Sequence, residues 1–184
     1  MKKLLILAAL ICIAVPAFAT DATSTSADVY ITITPHISVS APSAAVTLVG
    51  GTMPAGLPFS IPVVFTVHAN MEQLKLGAGA SILYKGDIPT SVNQIALSTG
   101  GISIVPDAAS PMAVHPSNVA AYDGSSEVIG GFTVEKTEFI PFESSTNNTF
   151  SQNVTVTPSW LNNDSELPIG EYSGKVAFYV MANI

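Results

Sequence analysis

The side chains in this 184-residue sequence that could do chemistry are few and scattered. There are three histidines: His36, His68 and His115. No two lie close enough along the chain to suggest a metal pair, and ordinary zinc sites draw on His and Cys. His36 and His68 occupy even positions of alternating segments, beside Thr34 and Thr66, and are expected to face solvent or a neighbour. His115 sits between Val114 and Pro116 in a proline-rich stretch. No serine stands in a G-x-S-x-G elbow. The pairs Gly50-Gly51, Gly100-Gly101 and Gly130-Gly131 lack the lysine and serine of a phosphate loop and read as turns or bulges. Asp123-Gly124-Ser125-Ser126-Glu127 and Asn162-Asn163-Asp164-Ser165-Glu166 carry oxygen ligands of the kind calcium takes. Neither matches the spacing of a calcium loop, and both read as Asx-rich turns. The expectation is no catalytic residue, no metal and no cofactor.

Composition narrows the partners. The sequence has no arginine, and its six lysines face thirteen carboxylates. Forked phosphate recognition and a basic footprint are therefore missing, which argues against nucleic acid. The one tryptophan, Trp160, falls in phase with Val154 and Val156, so it belongs to a core rather than to a sugar-stacking platform. Tyr30 and Tyr179 fall on the opposite side from the apolar residues of their segments. The three sequons at Asn147, Asn153 and Asn163 carry no signal in a chain this rich in Ser and Thr.

The elements that must position these residues are strands. Residues 61–69 place Ile61, Val63, Phe65 and Val67 on one side; 150–160 do so with Phe150, Val154, Val156 and Trp160; the last run does so with Tyr172, Val176, Phe178 and Val180. Period-two alternation of β-branched and aromatic residues is the half-buried strand signal. The runs expected are 28–40, 45–49, 59–69, 72–84, 92–98, 101–105, 127–136, 149–157 and 172–183. Residues 108–122 are alanine-rich but broken by Pro111 and Pro116, and read as a loop with one helical turn at most. Many short strands with Gly and Pro punctuation predict an all-β, immunoglobulin-like two-sheet β-sandwich, with a barrel as the alternative.

The two ends are the most informative. Lys2 and Lys3, the apolar run 4–15, Pro16 and Ala17-Phe18-Ala19 read as a signal peptide over 1–19. That run is shorter than the roughly 20 residues of a membrane helix, and no later run is longer. Export removes the only cysteine and two lysines, leaving four positive charges against thirteen negative. About 165 residues remain, enough for one domain resting on its core or on a neighbour. Residues 20–41 read as an N-terminal extension and first strand, and 42–184 as the sandwich. In ADVYITITPHISVSA (27–41) the odd positions Val29, Ile31, Ile33, Ile37 and Val39 are apolar and the even ones polar or amphipathic. Fully extended, the segment would span roughly 50 Å, far beyond a usual strand. Either it pairs within its own chain, bending near Pro35, or it is donated to a neighbour's sheet.

The start ADVYITITPHISV resembles the donor segment of bacterial chaperone–usher pilins, especially the alternate-pathway, colonisation-factor type. The ending LPIGEYSGKVAFYVMANI is similar to their closing strand, with Gly170, Tyr172 and Gly174 at the turn and Val176, Phe178 and Val180 beyond it. VVFTVHAN (63–70) is similar to an early strand of those domains. Two family features are missing: Asn183 stands where an aromatic is usual, and there is no disulfide. The resemblance implies a non-catalytic fibre subunit. Its odd-position residues from Val29 to Val39 would fill a groove bordered by Tyr172, Val176, Phe178 and Val180 in another copy. A periplasmic chaperone and an outer-membrane usher would be its partners, and the route would run from periplasm to cell surface. The alternative from another class is a secreted adhesin or a carbohydrate- or calcium-binding module. An exported hydrolase would need a constellation that the residues do not offer.

Overall fold

Alternation in sequence becomes one-sided burial in β3 (Val63–Ala69): Val63, Phe65, Val67 and Ala69 are buried, while Val64 and His68 are exposed. The computed structural model describes Ile31 and residues 33–46, 55–146 and 148–183. Among these residues the chain is all-β, without a helix. The other strands, in chain order, are β1 (Ile37–Ser40), β2 (Pro58–Ser60), β4 (Gln73–Ser81), β5 (Leu83–Lys85), β6 (Gln94–Leu97), β7 (Ile102–Pro106), β8 (Ala109–Pro111) and β9 (Val119–Ala120). They continue with β10 (Tyr122–Ile129), β11 (Phe132–Thr137), β12 (Ile140–Ser144), β13 (Phe150–Thr157), β14 (Ser159–Leu161), β15 (Tyr172–Ser173) and β16 (Val176–Ala182).

All pairings are antiparallel. One sheet runs β1-β3-β13-β7-β9, and a second runs β10-β11-β4-β12-β8. β11 and β12 take successive stretches of β4, Lys136 opposite Gly79 and Ile140 opposite Leu76. β16 pairs with the same residues of β4, from Ala80 to Leu74, and so lies on its other edge. A smaller sheet, β15-β5-β6-β14-β2, continues the two main ones, since β5 and β14 directly follow β4 and β13.

The main sheets face each other across Val67, Leu74, Leu76, Ile102, Ile104, Ile140, Phe142, Phe150, Val154 and Val156, all 0–1 % exposed or packed among residues that are. This is the β-sandwich that the alternation predicts. Trp160 is core, as its phase requires: it is 1 % exposed, stacks on Phe59 with centroids 6.0 Å apart, and its ring N–H donates to the Ser81 carbonyl at 2.9 Å.

Several elements differ from expectation: 59–69 divides into β2 and β3, 72–84 into β4 and β5, and 127–136, expected as one strand, is the end of β10, the Gly130-Gly131 turn and β11. Of the long opening strand expected over 28–40, the described residues form only the four of β1. Just before it, Asn70 Nδ2 donates to Thr34 O and the His36 N–H donates to Asn70 Oδ1, so a side chain satisfies the backbone where a ladder would otherwise run. The sandwich unit accordingly begins at Thr34. Residues 108–122 supply two short strands, β8 on β12 and β9 on β7. Pro111 is tolerated because β8 is a sheet margin. β12, Ile140-Pro141-Phe142-Glu143-Ser144, had no separate expectation; its pairing with β4 is long-range. The signal peptide, Val29 and most of 45–49 lie outside the described residues, as does Gly50-Gly51.

Gly130-Gly131 is the two-residue turn between β10 and β11, with φ of 58° and 87° at the two positions, the left-handed pair that a type I′ hairpin needs. Gly174 serves a different purpose. It breaks the closing run into β15 and β16, and a Cβ there would lie 2.7 Å from Ser81 Oγ and 2.8 Å from Leu83 Cδ2. The close approach lets Lys175 N–H donate to Ser81 Oγ while the Lys175 carbonyl accepts the Ser81 N–H. Gly174→Ala is expected to destabilise the fold by about 1–3 kcal/mol through overpacking. Urea unfolding should show a lower midpoint at unchanged slope.

Candidate partner-binding flank

β16 carries an apolar inner face that the described residues cover only in part. In β3 the inward side chains are at most 8 % exposed, and in β4 Leu74, Leu76, Ala78 and Ala80 are fully buried. In β16 the inward Val176, Phe178 and Val180 pack on the same core but are only half-buried. Phe178 reaches across to Phe65, with ring centroids 5.2 Å apart. What faces them on the other sheet is β1, which has four residues and leaves Val39 41 % exposed. β1 and β16 approach within 8 Å at their Cα atoms, but each pairs only with its own sheet, β1 with β3 and β16 with β4. The flank of the sandwich is therefore bounded by two strand edges that are unpaired among the described residues.

Sheet margins are normally blunted by charge, proline or a bulge. β10 has Asp123, Glu127 and an irregular register around Gly124; β2 starts at Pro58; β8 ends at Pro111. β16 reads VAFYVMA, without charge or proline, and its register on β4 is unbroken. It is the margin best suited to accept another strand.

The expected donor and groove residues separate here. Ile37 and Val39 belong to β1, opposite Ala69 and Val67 of their own chain; Ile37 packs on the core. Ile31 and Ile33 are 81 % and 76 % exposed, and Val29 lies outside the described residues. Tyr172 stands apart from β16: it pairs with Lys85 in β15, and its hydroxyl donates to Pro168 O at 2.8 Å. Ile37, Val176, Phe178 and Val180 all pack against the one core at this flank.

The outer face of β16 is anchored. Tyr179 lies over the side-chain-free stretch of β4 at Gly77 and Gly79, near enough that a Cβ on Gly79 would be 3.3 Å from its ring. Its hydroxyl donates to Glu127 Oε1 of β10 at 2.5 Å, and Lys136 Nζ stands 4.9 Å from the ring centroid. Burial, the hydrogen bond and the Glu127 charge together raise the Tyr179 phenol above its ordinary range. Tyr122, on the same hairpin, is pushed up to about 12 by burial and then by Glu135. The Tyr179–Glu127 contact spans 52 residues of sequence, so local spacing carries no sign of it.

The remaining chemical groups are engaged locally. Asp123 Oδ1 accepts from both the N–H and the hydroxyl of Ser125, which holds its carboxyl below the usual range. Asn162 Oδ1 accepts from Asp164 N–H, and Asp164 Oδ1 from Glu166 N–H. Both acidic loops are thus Asx turns. His115 Nε2 lies 3.2 Å from Glu138 Oε1. Among the described residues no three His, Cys, Asp or Glu side chains come together, and no helix is long and apolar enough to cross a membrane. No family model matches the chain, and neither does any curated protein sequence.

A tyrosine whose neutral form is favoured in the fold stabilises fully below its ordinary value near 10, and that contribution disappears as pH rises through the raised value. Stability should therefore fall above pH 10 in the wild type. Tyr179→Phe should cost about 1 kcal/mol at neutral pH, the scale of one hydrogen bond, and make the alkaline decline shallower. Denaturant titrations at a series of pH values would measure both.

Proposed function

We propose that this chain is a non-catalytic structural subunit of a bacterial cell-surface fibre, a pilus or fimbria, assembled by strand donation. The observation that carries the reading is the β16 margin: seven uncharged residues whose outer edge is unpaired among the described residues, with a half-covered inner face. A strand added beside β16 would satisfy its backbone groups and cover Val176, Phe178 and Val180.

The donor suited to this margin is the segment ahead of the sandwich. Ile37 and Val39 are engaged in their own chain as β1, so the donated residues are those before Thr34. Val29, Ile31 and Ile33 keep the period-two pattern, and the last two are exposed. Residues 28–33 extended cover about 20 Å, close to the roughly 23 Å of β16. The leading 1–19 segment fits export, and a periplasmic chaperone would shield the same edge before an usher passes the subunit to the surface. The other reading, a secreted binding module, needs an exposed aromatic platform or a carboxylate cluster. Trp160 is buried, and Asp123 and Asp164 cap turns.

The exported chain should form ladders of oligomers that survive mild detergent without heating. Deleting residues 20–33, or substituting Ile31→Asp with Ile33→Asp, should collapse the ladder to monomer while leaving the unfolding midpoint of the monomer unchanged. Phe178→Asp on the acceptor side should also prevent the ladder when mixed with intact donor, with a lowered midpoint because its contact with Phe65 is lost. A chain that remains monomeric at high concentration with all residues present would overturn the assignment.

A further inference from the structure

We propose that His36 and His68 form a two-imidazole site for a divalent transition-metal ion of the zinc or copper class. The register of β1 on β3 creates the pair. Ser38 lies opposite His68, and Ile37 opposite Ala69, which sets His36 across from Asn70. His36 and His68 are therefore diagonal neighbours on the outer face of the first sheet. Such a pair has Cα atoms roughly 7–8 Å apart, within reach of long side chains. Both line one shallow, open surface depression with Asn70, Thr149 and Ser151.

Three features suit the pair to a metal. The His36 backbone is held by Asn70, whose side-chain carbonyl oxygen accepts its N–H at 2.7 Å, which fixes where the side chain leaves the sheet. Neither ring is held by a hydrogen bond or ion pair within the described residues, whereas His115 is engaged by Glu138. Imidazole nitrogen is a ligand that suits zinc, copper and nickel, whereas calcium and magnesium take oxygen. Among the described residues no third His, Cys, Asp or Glu joins them, which leaves the remaining coordination positions to water or to a donor from another molecule. The site does not depend on the fibre reading, since both histidines belong to the sandwich unit itself.

The test is calorimetric titration of the purified chain, without a polyhistidine tag, with zinc chloride alone and copper chloride alone. One ion should bind per chain. His36→Gln and His68→Gln should each weaken binding roughly a hundredfold, because the second ligand no longer acts at high effective concentration. His115→Gln should leave it unchanged. In an independent measurement on the unmodified chain, substoichiometric copper should broaden the ring signals of His36 and His68 together, ahead of His115. Unchanged affinity in either single variant, an equal loss in His115→Gln, or broadening of only one of the two rings would overturn the site.

Discussion

The second sheet depends on β4. This strand is paired on both edges along most of its length, by β11 and β12 on one side and β16 on the other. Its inner side chains, Leu74, Leu76, Ala78 and Ala80, are fully buried against the opposing sheet. Its outer positions Gly77 and Gly79 carry no side chain, so Phe139, Val134 and Tyr179 close directly over the backbone. Burial of apolar area on one face and close approach on the other make β4 the strand that the rest cannot do without.

β16 inherits its character from that arrangement. It is fixed to β4 by its ladder and from above by Tyr179 and Glu127, yet the short β1 and the other described residues leave its inner face half-covered. A strand that is well anchored but incompletely covered keeps its shape while offering apolar surface. Those are the conditions under which an added strand gains both backbone hydrogen bonds and side-chain burial. A margin that was loosely held would have to be ordered first, at an entropic cost.

The outer face of the first sheet shows how register brings residues distant in sequence together. His36 and His68 are far apart in sequence and look unrelated there; one antiparallel pairing sets them side by side. The same pairing takes Ile37 and Val39 out of the exposed opening segment and gives them to the sandwich. Both consequences come from where β1 starts, and Asn70 decides that by holding Thr34 and His36.

Period-two alternation by itself determined the all-β class, the inward faces of β3, β13 and β16, and the buried place of Trp160, because in a strand the side-chain direction is settled by local backbone geometry alone. Turn chemistry was legible in the two Asx loops, where every partner lies within a few residues, but only in part at Gly130-Gly131, which read as a turn or bulge while one strand was expected across 127–136. The short strands β8, β9 and β12 were not, since their ladders are made with residues distant in sequence and Pro111 and Pro141 disguise them. The uncovered flank, the Tyr179–Glu127 contact and the His36–His68 pair were decided only by the tertiary structure. Each depends on which strands become neighbours and in what register, and pairing energy between distant segments leaves no mark on either segment read alone.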